Sequence, residues 1–148
     1  MKNLLIRLLT VGRMKDVHLE AKCAEYLKRL NAYAKVEVVE VKDSNPEEEG
    51  AKLLRLFDPA RELVLALGEE GETFTSGAFA GMLESAGRRV VLIVGGPYGL
   101  SDEVKRAATR LVSLSPLTFT HELARAVLLE QIFRDCSIIN NTGYNHFG

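Results

Sequence analysis

An uninterrupted apolar strand followed by a glycine-rich turn constrains the fold of this chain more than any other feature. Residues 90–94 read Val-Val-Leu-Ile-Val, and Gly-Gly-Pro-Tyr-Gly-Leu-Ser follows at residues 95–101. A strand without polar positions is typical of an α/β sheet that is covered by helices on both faces. Glycine lets the backbone approach a ligand closely, and Pro97 fixes the turn. The segment therefore indicates an α/β fold with a ligand site, although its spacing alone allows a purely structural turn equally well.

Several sequence patterns that would assign a chemistry are absent. The turn has neither the Gly-Lys-Ser/Thr ending of a P-loop nor the Gly-x-Gly-x-x-Gly of a dinucleotide fold. No Gly-x-Ser-x-Gly nucleophile motif occurs. The histidines at 18, 121 and 146 are dispersed, and no Cys/His cluster has the spacing of metal ligands. No metal site is predicted, and the ligand is expected to bring its own reactivity.

Length and composition set the broad class of the protein. With 148 residues the chain is expected to form one domain over residues 1–148. Cys23 and Cys136 fall in apolar helical patterns and are interpreted as packing residues of a reduced protein. No segment reaches membrane-spanning length, so a cytoplasmic protein without membrane contact is expected. A net charge of -1 argues against a general nucleic-acid coat.

A local basic patch remains compatible with this net charge. A solvated surface is the more common role of scattered cations, and both interpretations stay open. The candidate positions are Arg88, Arg89, Lys105, Arg106, Arg110, Arg125 and Arg134.

The chain alternates between strand and helix patterns along its length. Strands are predicted at residues 4–11, 36–41, 63–67, 90–94 and 111–114, and helices at 17–30, 46–57, 76–86, 102–110 and 121–135. Residues 68–75 are expected to form a loop, and residues from 136 onward a tail. No repeat or linker divides the chain. This alternation predicts a mostly parallel sheet between helices, with ligands at the carboxyl ends of the strands.

Three loops leave neighbouring carboxyl ends of this predicted sheet, after Leu67, Val94 and Leu114. The third loop, Ser115 to Phe119, is short and contains a proline and alternate apolar residues. It offers backbone donors and acceptors beside apolar walls, where a flat purine could lie. Alternatively, its leucine and phenylalanine simply close the core.

The last helix begins with a histidine and an arginine four residues apart. Helical spacing puts His121 and Arg125 on one face near the helix N-terminus, where they would form an anion-facing pair. A satisfied surface histidine is the alternative interpretation. Glu130 and Arg134 have the same spacing and are interpreted as a structural ion pair.

Four motifs in this order resemble the RlmH family of SPOUT-class methyltransferases. They are the run Leu92–Ser101, the loop Leu114–Phe119, the pair His121 and Arg125, and the tail around Tyr144. The resemblance covers the whole chain. It implies an α/β-knot fold with a C-terminal trefoil knot, which the strand and helix pattern cannot reveal because knots are rare.

The resemblance also implies a reaction and the residues that carry it. It implies S-adenosylmethionine as methyl donor, N3 of a pseudouridine in large-subunit ribosomal RNA as acceptor, and a homodimer whose interface completes the site. The implied cofactor positions are Leu67, Gly95, Gly96, Leu114, Ser115, Pro116, Leu117, Thr118 and Phe119. The implied catalytic or RNA-facing positions are His121, Arg125, Tyr144 and His146.

The tail departs from the family pattern. The family tail reads Tyr-His-Lys or Tyr-His-Arg, whereas Tyr144 is followed here by Asn145 and His146. Either His146 takes the histidine role from one residue further on, or Asn145 occupies that place and the role is lost.

The expected substrate is the assembled ribosome, because the chain is slightly acidic and has no appended RNA-binding domain. Two other classes of protein share the pattern. A small flavodoxin-like protein would bind a flavin or nucleotide, and a non-catalytic ribosome-associated module would bind ribosomes without a methyl donor.

Overall fold

The computed structural model describes residues 4–146, and these residues form a five-stranded sheet with helices on both faces. The strands are β1 Leu4–Val11, β2 Ala34–Val41, β3 Leu63–Thr73, β4 Val90–Val94 and β5 Arg110–Ser113, and the helices are α1 Val17–Leu30, α2 Pro46–Leu54, α3 Ser76–Ser85, α4 Asp102–Ala107 and α5 His121–Asn140. The strand order is β2-β1-β4-β3-β5, and all four neighbouring pairs are parallel. The predicted α/β fold is confirmed. The predicted domain limits at residues 1 and 148 lie outside the described residues.

The sheet separates two apolar cores. Side chains of α1, α3 and α5 pack on one face, together with Leu8 and Leu92 of the central strands. Side chains of α2 and α4 pack on the other face, together with Leu9 and Ile93. The central strand β4 is buried at all five positions because both of its faces are covered.

The two cysteines pack as the sequence predicts. Cys23 of α1 and Cys136 of α5 are both buried free thiols within the core on the α1, α3 and α5 face. Burial raises the pKa of both thiols, so they behave as small apolar groups rather than nucleophiles.

Three helices begin at side chains that cap their first turn. The side chains of Asn45, Ser101 and Thr120 each accept a hydrogen bond from a backbone N–H in the first turn of α2, α4 and α5. Pro46 occupies the first turn of α2, where a missing N–H costs nothing. Local sequence therefore fixes where these helices begin.

Several predicted ends are wrong by a few residues. Helix α2 ends at Leu54 rather than residue 57, and the Leu56 carbonyl outside the helix accepts a hydrogen bond from Arg7 Nη1 at 3.0 Å. Helix α4 ends at Ala107 rather than residue 110, and β5 begins at Arg110 rather than residue 111. Strand β2 begins at Ala34, two residues earlier than predicted, because it pairs with β1 over its whole length.

The prediction of a loop over residues 68–75 is wrong, because β3 continues to Thr73. After a register shift, Glu72 and Thr73 pair with Val112 and Ser113 of β5. A Cβ added to Gly71 would lie 2.7 Å from the Leu111 carbonyl carbon and oxygen. The glycine therefore permits the close approach to β5 that keeps this segment in the sheet.

Helix α5 is longer than predicted, running to Asn140 instead of residue 135. Cys136 and Ser137 are buried, and this packing favours a further helical turn. The helix ends where Asn141 adopts the left-handed conformation (φ 56°, ψ 48°), which asparagine tolerates. Within residues 4–146, no helix combines the length and apolar character needed to cross a membrane. The trefoil knot stays a prediction.

Candidate active site

A cavity of about 490 Å³ opens at the carboxyl ends of β3, β4 and β5. This volume lies within the range of roughly 300–1,000 Å³ that is typical of small-molecule sites. The lining comes from β3 beyond Ala66, from the loops after β4 and β5, from Lys105 of α4 and from the start of α5. Its residues are 67–70, 94–100, 105, 114, 115, 117–121 and 124.

The structure brings most of the predicted cofactor positions together. Eight of the nine line the cavity, namely Leu67, Gly95, Gly96, Leu114, Ser115, Leu117, Thr118 and Phe119, whereas Pro116 does not. Their role in binding a cofactor stays a prediction. The predicted convergence of the segments after Leu67, Val94 and Leu114 is confirmed, although the first of them belongs to β3 and is not a loop.

The turn after β4 is closed by its own backbone. Gly99 donates its N–H to the Gly96 carbonyl at 3.0 Å and has a φ of 79°. A Cβ added to Gly95 would lie 2.8 Å from the Gly99 carbonyl carbon. Glycine at these positions therefore allows a turn tight enough for its backbone to form the cavity wall.

The loop after β5 is held by serine hydroxyls. Ser113 Oγ donates to the Ser115 carbonyl at 2.8 Å, and the Ser115 hydroxyl accepts the Leu117 N–H at 3.0 Å. Leu117 is 73% exposed, so it does not close the core as the alternative interpretation proposed. Phe119 is half-buried and forms part of the cavity wall.

Acidic groups at the cavity edge were missed in the sequence. Glu70 accepts a hydrogen bond from Lys105 Nζ at 2.8 Å, and this bond is the main reason that the pKa of Glu70 is lowered. Glu69 accepts a hydrogen bond from the Thr118 hydroxyl. The signal was the run Gly-Glu-Glu-Gly-Glu directly after the apolar part of β3, which resembles a solvated loop. Among residues 4–146, no group of three or more His, Cys, Asp or Glu side chains could hold a metal ion.

His121 and Arg125 do not form the predicted pair in the cavity. His121 lines the cavity, whereas the Arg125 guanidinium turns to the end of β1 and donates to the Gly12 carbonyl at 3.1 Å. It also contacts Glu40 at 3.0 Å, and its side chain is only 6% exposed. Helical spacing fixes the face of a residue but not its rotamer, and these acceptors hold the guanidinium away from the cavity.

The tail folds back on the second half of α5. Tyr144 donates its hydroxyl to Glu130 Oε2 at 2.8 Å, and its ring centroid lies 4.8 Å from that of Phe133. Burial and the contact with Glu130 raise the pKa of Tyr144 to about 12. His146 is exposed. Neither Tyr144 nor His146 is among the residues that line the cavity of their own chain.

Most candidates for a basic patch are neutralised by nearby acids. This arrangement fits the solvated-surface interpretation better than a concentrated basic face. The pairs are Arg89 with Glu62, Lys105 with Glu70, Arg110 with Glu72, Arg125 with Glu40, and Arg134 with Glu130.

Comparison with known proteins gives consistent relatives. A family model described as "Predicted SPOUT methyltransferase" matches residues 4–146. Proteins named "Ribosomal RNA large subunit methyltransferase H" from Oleidesulfovibrio alaskensis and Gloeobacter violaceus are each 40% identical, and each match covers 95% of this chain and 98% of the relative. A solved structure described as a probable methylase family protein from Haemophilus influenzae Rd KW20 has a TM-score of 0.61 at 12% identity, covering 96% of this chain and 70% of that one. At that identity, the structural likeness shows the fold alone.

Proposed function

Because the chain belongs to the SPOUT methyltransferase family, we propose that it transfers a methyl group from S-adenosylmethionine to N3 of a pseudouridine in large-subunit ribosomal RNA. The observation that carries this proposal is the cavity at the ends of β3, β4 and β5, which eight of nine implied cofactor positions line. The names of the curated relatives support ribosomal RNA as the substrate. The N3 position of pseudouridine rests on the family resemblance.

The cavity suits S-adenosylmethionine chemically. Leu67, Leu114 and Phe119 offer apolar walls for an adenine ring, and the turn around Gly95 offers backbone polar groups. Glu69 offers a carboxylate to a cationic ligand. The cofactor contains no phosphate, so the lack of a P-loop is expected. When bound, it supplies a methyl group that its sulfonium already activates.

The residues of the chain then have to position the acceptor and move one proton. N3 of pseudouridine is an imide nitrogen and must lose its proton before it is methylated. We propose that His121 accepts this proton as the general base, because it lines the cavity in the first turn of α5. The positive end of the helix dipole stabilises negative charge that develops on the ring. Holding both reactants in line can supply about 7 to 11 kcal/mol of the barrier reduction.

A homodimer would supply the tail residues that one chain does not bring to its own cavity. Tyr144 is fixed against Glu130 on the far half of α5. Exposed apolar side chains at the starts of α1 and α5, Val17 and Leu123, support a surface that a second copy covers. We place Tyr144 and His146 of one chain at the cavity of its partner. The substrate is the assembled ribosome, which puts the activity in the cytoplasm.

Arg125 contributes to this site by holding the start of α5 in place. Its bonds to the Val11 and Gly12 carbonyls and to Glu40 join the start of α5 to the ends of β1 and β2. We expect Arg125→Ala to lower the free energy of unfolding by about 1.5–3 kcal/mol, because a buried charged hydrogen-bond donor is lost. Glu40 is partly exposed, so Glu40→Gln should cost less.

Urea unfolding of both variants measures these costs. The affinity of the folded variants for the methyl donor, compared with their rate of methyl transfer, distinguishes a structural role of Arg125 from a role in the reaction. An Arg125→Ala protein with unchanged stability and lost methyl transfer would instead assign this side chain to the reacting groups.

Ligand-dependent stabilisation tests the class of ligand. S-adenosylhomocysteine at one hundred times its dissociation constant should add about 2.7 kcal/mol to the free energy of unfolding and raise the melting temperature. Flavin mononucleotide should add nothing. Stabilisation by the flavin alone would favour the flavodoxin-like alternative. Ribosome binding without any response to the methyl donor would favour the non-catalytic module.

A further inference from the structure

The charged groups around the cavity leave one carboxylate without a cationic partner. Four charged or titratable side chains besides Tyr98 line it, namely Glu69, Glu70, Lys105 and His121. The Glu70 carboxylate and the Lys105 ammonium are 2.8 Å apart and neutralise each other. Among the described residues, Glu69 forms no ion pair, and its hydrogen bond comes from the neutral Thr118 hydroxyl. The cavity edge therefore carries a net negative charge at Glu69.

This charge bears on a difference between the methyl donor and its product. Methyl transfer converts a sulfonium cation into a neutral thioether, while the rest of the molecule keeps its charges. A fixed carboxylate attracts the cationic form and has no corresponding attraction for the thioether. The apolar and backbone parts of the cavity contact groups that both forms share. These parts of the cavity therefore cannot make the donor bind more tightly than the product.

Building on the proposed function, we propose that Glu69 makes this cavity prefer the cationic methyl donor over its neutral thioether product. Glu69 is a specificity-determining residue in this account, and it favours release of product after transfer. Glu69 follows the apolar part of β3, within the register shift between Leu67 and Glu72, and lines the cavity.

Thr118 positions this carboxylate. It belongs to the loop after β5, and its hydroxyl donates to Glu69 Oε2, so the bond joins that loop to β3 at the cavity. The hydroxyl carries no charge and therefore fixes the acid without neutralising it. Loss of the hydroxyl should loosen the cavity for both ligands, whereas loss of the carboxylate charge should affect the donor selectively.

Isothermal titration with S-adenosylmethionine and S-adenosylhomocysteine separates these effects. Glu69→Gln keeps an acceptor for Thr118 and removes the charge. We expect it to lower the preference for donor over product by about fivefold or more, because the donor binds more weakly and the product does not. The preference of the wild-type protein should also shrink at high salt, since Glu69 is exposed.

Two variants serve as references in the same titrations. Glu72 lies on the same strand, but its carboxylate pairs with Arg110 and does not line the cavity. Glu72→Gln should therefore leave the preference for donor over product unchanged. Thr118→Val keeps the charge of Glu69 but releases its carboxylate, so it should weaken the binding of both ligands and lower the preference for the donor less than Glu69→Gln does. Equal weakening of both ligands by Glu69→Gln, or an unchanged ratio, would overturn the role of Glu69. A wild-type protein that binds neither ligand would instead overturn the proposed cofactor.

Discussion

Removal of residues 144–148 is expected to lower methyl transfer by about a hundredfold or more while α5 and the sheet stay folded. The deletion removes Tyr144 and His146, which we place at the partner's cavity, and misplaced reacting groups can cost about that factor. The fold should survive because Tyr144 packs against α5 through Glu130, Phe133 and Ser137 and is not itself a member of the buried core. Transfer to ribosomes and the melting temperature, measured on one preparation, check both expectations.

Shorter changes identify which tail residue acts. Removing residues 147 and 148 alone leaves Tyr144 and His146 in place and is the matched control, with activity retained. His146→Ala should reproduce most of the loss if His146 takes the histidine role of the family tail. Asn145→Ala should be mild in that case, because Asn145 contacts Arg134 on its own chain at 3.0 Å. Full activity of the five-residue deletion would refute a catalytic tail.

Asp135→Asn is expected to remove a pH-dependent loss of stability that grows to several kcal/mol by pH 8. Asp135 is fully buried, and within residues 4–146 neither of its carboxylate oxygens has a hydrogen-bond partner. Burial and, to a smaller extent, the nearby Glu130 charge raise the pKa of this carboxyl from 3.8 to about 8, while Arg134 opposes the shift. The folded protein therefore holds a neutral acid where the unfolded chain holds an anion.

The sign of the pH dependence follows from these two values. Below about pH 4 the carboxyl is protonated in both states and adds no pH dependence to the free energy of unfolding. Between pH 4 and about 8 only the unfolded chain ionises, so the free energy of unfolding falls by about 1.4 kcal/mol per pH unit. Asparagine does not ionise, and the variant should lose this slope. Urea unfolding from pH 4 to 9 measures it, with Asp43→Asn as the exposed control; equal slopes in wild type and Asp135→Asn would contradict the assignment.

Local patterns predicted the central elements well. Strands β1 and β4 and helix α1 have the predicted bounds, because each is bordered by a strong signal such as a cap or a glycine turn. The cavity followed from one rule, that neighbouring parallel strands present their loops at the same edge. These features depend on residues close together in the chain.

Features that depend on distant contacts were predicted poorly. The extension of β3 to Thr73 rests on pairing with β5, which the glycines and acids of that segment conceal. The direction of Arg125 rests on carbonyls more than a hundred residues away, at Val11 and Gly12. The charge pairing at Glu70 depends on Lys105, which by itself suggested a basic patch. Periodicity and spacing carry no information about such partners.

Methyl transfer to ribosomes tests the central claim most directly. Ribosomes from a strain that lacks the corresponding activity are incubated with this protein and methyl-labelled S-adenosylmethionine, and the labelled nucleotide is mapped. The account predicts one labelled site in the large-subunit RNA, an N3-methylated pseudouridine, with little labelling of a short isolated RNA hairpin. Label on another base or in the small-subunit RNA, or no transfer by a protein that binds the donor, would contradict it.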